Sequence, residues 1–140
     1  MIDIKWDDKF SVGHERIDQE HKIFLGLIKT VSIATDEALP KEKILRILVE
    51  IQKYADFHFY SEENLMLDSG YPDYEEHKKE HQLLLARLDG QLHDYRYDAC
   101  GLEELIEFIF QWFALHTTGI DKKLAVHIES SYKPITDKDT

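Results

Sequence analysis

His58-Phe59-Tyr60-Ser61-Glu62 and, beyond Ser69-Gly70, His77-Lys78-Lys79-Glu80-His81 decide how this chain folds. Residues four apart on an α-helix lie one above the other, so each stretch presents two metal-ligating side chains on a single face. Those faces are otherwise apolar. His58 and Glu62 continue a stripe of Ile44, Ile47, Leu48, Ile51, Tyr54, Ala55 and Leu65, and His77 and His81 lead into Leu84, Leu88 and Leu92. Stripes of this period mark helices packed on a core, and here polar groups occupy positions that the period assigns to the interior.

Working outward, two more segments carry the same pattern. Before the first stretch, Ile17, His21, Phe24 and Ile28 share a face that extends to about Glu37. After the second, Leu102, Leu105, Ile106, Ile109, Trp112, Phe113 and His116 mark a fourth helix, followed by a short terminal piece through Leu124, Val126 and Ile128. The intervening residues stop helices: Pro40 and Pro72 suit first turns, and Gly70 suits the position just past a helix end. The expected fold is all-α, an up-down-up-down antiparallel four-helix bundle in one domain spanning 1–140. An N-terminal arm would take 1–16, the bundle about 17–120, and a short C-terminal helix would lie within 121–140, with the tail from Pro134 frayed.

The topology tests the grouping of the polar residues. In such a bundle alternate helices run oppositely, so a shared layer lies early in one helix and late in the next. His21 is early, His58 and Glu62 late, His77 and His81 early, and His116 and Asp121 late. All seven therefore fall near one end. His116 and Asp121 are five apart, which a regular α-helix would turn away from each other by roughly 140°. A local break, with Gly119 as its candidate, is expected to bring Asp121 round. His14, His93 and His127 lie near helix ends or loops and are expected to stay outside the cluster.

Two buried carboxylates need compensating positive charge, and no Lys or Arg lies on these stripes near the histidines. Bound cations would supply it. Seven donors exceed the needs of one tetrahedral zinc, and the single cysteine, Cys100, excludes thiolate sites and internal disulfides. Two metals are implied, and imidazole-rich donors admit zinc, copper, iron or nickel.

Composition narrows the class. With 17 Lys and Arg against 28 Asp and Glu, the net charge of −11 opposes nucleic acid and anionic lipid as partners. The run Met1 to Asp8 has no basic stretch followed by an apolar one, and no later segment approaches membrane-spanning length, so no membrane insertion and a cytoplasmic location are expected. The 43% hydrophobic residues in 140 suffice for one substantial core.

Taken together, Trp6, Ile17-Asp18-Gln19-Glu20-His21-Lys22, His58-Phe59-x-x-Glu62-Glu63-x-Leu65-Met66, Tyr71-Pro72 before His77-x-x-x-His81, and Trp112-x-x-x-His116-x-x-x-x-Asp121-Lys122 resemble the bacterial hemerythrins over almost the whole chain. The resemblance implies two iron ions with a bridging oxo or hydroxo group. His77, His81 and His116 would hold one iron, His21 and His58 the other, and Glu62 and Asp121 would bridge them. The two-histidine iron would keep an open position for molecular oxygen. Reversible oxygen binding for carriage, storage or delivery is the leading expectation. An oxygen- or redox-sensing module is the second, and a di-iron redox enzyme with peroxidase, oxidase or nitric-oxide chemistry the third, because no general acid or base beyond the ligands is evident. Many relatives carry apolar residues around the fourth-helix histidine, where this chain has Thr117 and Thr118. Their hydroxyls either cap local carbonyls or enter the pocket and admit water.

Overall fold

The computed structural model describes residues 4–131; Met1 to Asp3 and the tail from Pro134 lie outside the described residues. A short 3-10 turn, Asp8–Phe10, precedes four long helices, α1 (Glu15–Asp36), α2 (Lys41–Ser69), α3 (Tyr74–Arg96) and α4 (Leu102–His116). A π-helical turn, Thr117–Asp121, joins α4 to α5 (Lys122–Ser131). α1 packs against α2 and α4, α3 packs against α2 and α4, and the short connections make sequence neighbours antiparallel. α5 packs against α2.

Local chemistry accounts for the ends of these helices. The His14 ring accepts a hydrogen bond from the Ile17 backbone N–H at 3.3 Å, capping α1 three residues before the apolar stripe begins at Ile17. Asp18 then gathers the arm, accepting from Ser11 Oγ (2.8 Å), Val12 N (2.8 Å) and Gly13 N (3.3 Å). This seats Ile4, Phe10 and Val12 in the interior. α2 starts immediately after Pro40 and stops at Gly70, whose φ of 65° is the left-handed conformation that terminates helices. Pro72 lies in the turn before α3, two residues ahead of its first helical residue.

The buried faces follow the periodic stripes with two corrections. On α2, Met66 is fully buried and Leu65 only partly so, because Met66 lies four residues beyond Glu62 and completes its row. On α5, Leu124 and Ala125 are buried whereas Val126 is 55% exposed, since two residues of helix carry a side chain to the opposite side.

The apolar interior comes in two parts. The larger contains Phe24, Leu25, Ile28, Leu48, Ile51, Ala55, Phe59, Leu84, Leu88, Ile109 and Phe113, among others. The smaller contains Val12, Ile17, Met66, Tyr71, Leu124 and Ala125. On α1, Ile17 belongs to the smaller and Phe24 to the larger; on α2, Met66 and Phe59 divide in the same way. The seven polar residues occupy the turns between, so a titratable layer is closed on both sides by hydrocarbon.

Gly70 and Gly90 test this account of the backbone with opposite signs. Neither position has an atom within 4 Å of an added Cβ, so only conformation matters. Gly70→Ala forces a side chain into the left-handed region and is expected to cost about 1–2 kcal/mol. Gly90→Ala, on the exposed face of α3, is expected to stabilise by about 0.5–1 kcal/mol. Urea unfolding midpoints at unchanged slope measure both.

Candidate metal centre

The chain brings all seven predicted residues together. Glu62, His77, His81, His116 and Asp121 form one group, and His21, His58, Glu62 and Asp121 form another; within each, one donor atom per residue lies within 4.8 Å of all the others. Glu62 and Asp121 belong to both. Their side chains are fully buried, and none of the five histidines is more than 4% exposed. The three histidines expected to stay outside, His14, His93 and His127, belong to neither group: His14 caps α1, His93 is exposed, and His127 Nε2 meets the Ser69 carbonyl at 2.9 Å.

Each element contributes its donors for a local reason. On α2 and α3 the four-residue spacing stacks His58 over Glu62 and His77 over His81. On α4 the spacing of five is met by the π turn rather than by a break. Bonds from i to i+5 widen the helix by one residue per turn, so Asp121 Oδ1 comes to 3.0 Å from His116 Nε2. Gly119 has no positive φ, and helical backbone runs on from α4 through the π turn into α5.

The approach distances define the shape of the centre. Glu62 Oε2 lies 3.2 Å from His58 Nε2 and 3.6 Å from His21 Nε2, while Oε1 lies 2.9 Å from His81 Nε2 and 3.4 Å from His77 Nε2. Asp121 divides likewise, with Oδ2 at 3.0 Å from His21 Nε2 and Oδ1 at 3.2 Å from His77 Nε2. Each carboxylate thus turns one oxygen to each group. Despite these distances, both oxygens of Glu62 and of Asp121, and Nε2 of His58, His77, His81 and His116, lack a hydrogen bond of acceptable geometry. Buried polar atoms left in this state are costly, and their convergence fits cations placed between them.

Electrostatics points the same way. Burial would depress the His58 and His116 imidazoles, but neighbouring carboxylates outweigh it and push both up to about 10: Glu62, then Glu20 and Asp121, for His58, and Asp121, then Glu62, for His116. His21 and His77 are also raised against burial, by Asp121 and Glu62. Burial would raise Glu62 and Asp121, and the surrounding histidines instead hold both below the usual carboxylate range. The layer demands positive charge, and in the bare chain it draws this from protons.

Aromatic rings fix the imidazole planes. Phe59 stacks on His81 with centroids 4.0 Å apart and planes inclined by 7°. Trp112 stacks on His116 at 5.4 Å, and Phe113 meets His21 edge-on at 5.6 Å. Thr118 Oγ1 donates to the Ala114 carbonyl at 2.8 Å, the capping role, and Thr117 is buried.

Two further carboxylates were not singled out by the sequence reading. Glu20 meets His58 Nδ1 at 2.7 Å and Glu63 meets His81 Nδ1 at 2.9 Å. A signal existed for Glu20, which lies three residues after Ile17 and four before Phe24, on the edge of their stripe. Glu63 had none, because the residue after a ligand normally points away from the ligand's neighbours.

The comparisons agree with this geometry. Residues 12–128 match the family model described as the hemerythrin HHE cation binding domain. The chain is 30% identical over 123 residues to a bacteriohemerythrin of Clostridium acetobutylicum, covering 84% of this chain and 95% of that one. It is 31% identical to a myohemerythrin of Theromyzon tessulatum, covering 85% and 88% respectively. The crystal structure of a wild-type hemerythrin superposes with a TM-score of 0.78 at 22% identity, covering 89% of this chain and 96% of that one, which shows the shared fold.

The metal-free and metal-loaded chains should respond to pH in opposite directions. Raised imidazoles stabilise the metal-free fold fully below their unfolded value of about 6.5, and this contribution is lost as pH rises through about 10. The lowered carboxylates contribute above their unfolded values and lose that contribution only as pH falls through their folded ones. Metal requires neutral imidazoles, so its stabilisation grows with pH. Calorimetry between pH 6.5 and 9 is expected to show a falling Tm without metal and a level or rising one with it. A falling Tm in both forms would contradict this.

Proposed function

The chain belongs to the hemerythrin family, and on that premise we propose that its buried layer holds two iron ions and binds molecular oxygen reversibly. The observation that carries the proposal is that two donor groups share Glu62 and Asp121, with three histidines in one and two in the other. His77, His81 and His116 would hold one iron, and His21 and His58 the other. Glu62 and Asp121 would bridge the pair alongside an oxo or hydroxo group. Held there, the two irons would supply the electrons that oxygen takes up and returns.

The chain's own residues favour binding over turnover. Phe24, Ala55, Phe59, Leu84 and Trp112 line a cavity of about 10 Å³ in the apolar core, one helical turn inward from His21, His58, His81 and His116 alike. That volume is about the least that admits one water molecule, and an apolar lining offers water no partners. Excluding water and external protons slows irreversible oxidation and leaves release of oxygen as the easier path. Glu20 and Glu63, the nearest additional carboxylates, face the backs of histidines, so neither is free to act as a general acid or base on a bound molecule. No helix among the described residues is long and apolar enough to cross a membrane.

An absorption spectrum tests the proposal. The anaerobically reduced, iron-loaded protein should be nearly colourless, gain a visible charge-transfer band on adding oxygen, and lose it on deoxygenation over repeated cycles. Irreversible oxidation of both irons on the first exposure would remove the carrier reading and favour an oxidase or redox-sensing role. The ligand assignment is tested by metal content: Glu62→Ala and Asp121→Ala should lose both ions, whereas His21→Ala should retain about one ion per chain, since three histidines suffice to hold the other. Full retention of two ions in any of the three would contradict the assignment.

A further inference from the structure

Behind His58, on the side away from the donor cluster, the Glu20 carboxylate is 7% exposed and has three side-chain partners. Its Oε1 lies 2.7 Å from His58 Nδ1, and its Oε2 accepts from Ser61 Oγ at 2.8 Å and from Arg16 Nε at 3.1 Å. The Tyr54 hydroxyl donates to the Glu20 backbone carbonyl at 3.2 Å, so backbone and side chain are both held. Arg16, one helical turn before Glu20, has its side chain 55% exposed. A continuous chain of contacts therefore runs from a surface guanidinium through one buried carboxylate to the back of one imidazole.

We propose that Glu20 is the positioning residue of the two-histidine metal position, and that Arg16 tempers it. The inference rests on the metal-binding reading above and deepens it. A carboxylate only accepts hydrogen bonds, so Glu20 keeps the His58 proton on Nδ1 and leaves the Nε2 lone pair directed at the cluster. The negative charge behind the ring also makes His58 a stronger electron donor. Within that group the role falls on His58 alone, because Nδ1 of His21 has no protein partner among the described residues. Glu63 does the same for His81 in the three-histidine group, where it acts on one donor in three rather than one in two. Arg16 withdraws charge from Glu20 and so opposes the donation. Its exposure makes it a means by which surface charge reaches the metal.

Opposite signs make the idea testable. Glu20→Gln keeps an acceptor behind His58 and removes the charge; Arg16→Gln removes the counter-charge and leaves the carboxylate. With cobalt(II) as the probe, titrated into the full-length chain and followed by its visible d–d bands, Glu20→Gln is expected to weaken the more weakly held ion by about 10-fold or more. Arg16→Gln should leave it unchanged or tighter. In the iron-loaded proteins, the midpoint potential should rise in Glu20→Gln and fall in Arg16→Gln, a divergence that loss of structure alone would not produce. Glu20→Asp, which restores the charge, should recover part of the affinity and carries the test if Glu20→Gln does not fold. If wild type binds two cobalt ions but the potentials move together, or Glu20→Gln and Glu20→Asp bind equally, the proposal is overturned while the di-metal reading stands. If wild type binds fewer than two, both fall.

Discussion

Two ionised carboxylates, Glu62 and Asp121, sit at zero exposure in the middle of a helical bundle, and the rest of the structure is arranged around that fact. Unpaired, each would cost several kcal/mol or give up its charge. Five imidazoles surround them, supplied by all four long helices. The arrangement is neither a hydrogen-bond network nor a set of ordinary ion pairs, because most of the converging atoms lack a partner of suitable geometry. It is a convergence of donor atoms that could hold cations, which would complete the charge balance.

Placing such a layer inside a small bundle requires that it be closed on both sides. Ile17, Met66, Tyr71 and Leu124 close one, and the large core beginning with Phe24, Phe59, Leu84 and Phe113 closes the other. The arm contributes as well: Asp18 ties Ser11, Val12 and Gly13 to the first turn of α1, and Val12 thereby joins the smaller cluster. Phe59 and Trp112 serve twice, filling apolar volume and lying flat on His81 and His116. Packing and ligand orientation are therefore the same interaction seen from two sides, and a change in either ring would disturb both.

The two donor groups are unequal in more than their number of histidines. One imidazole in each is backed by a carboxylate, but Glu20 is gripped by Ser61, Arg16 and Tyr54, whereas Glu63 is 17% exposed. The better-ordered support stands behind the group with fewer ligands. A metal held there would gain most from it, since fewer bonds would define where it sits.

The sequence by itself determined the all-helical class, the four stripes and the seven residues, because helical period is local: His58 with Glu62 and His77 with His81 are written in four-residue spacings, and the alternation of early and late positions follows from short connections. It also set His14, His93 and His127 apart. What it did not determine is what depends on atoms distant along the chain. The sequence reading expected a glycine break between His116 and Asp121; the structure has a π turn, which becomes favourable only when Asp121 must reach the other helices' histidines. Glu20 and His58 are 38 residues apart, and Glu63 and His81 are 18 apart, so neither contact has a local signature. Only tertiary packing, by bringing the back of one helix's imidazole against another helix's carboxylate, decided which acidic residues are solvated surface and which support the centre.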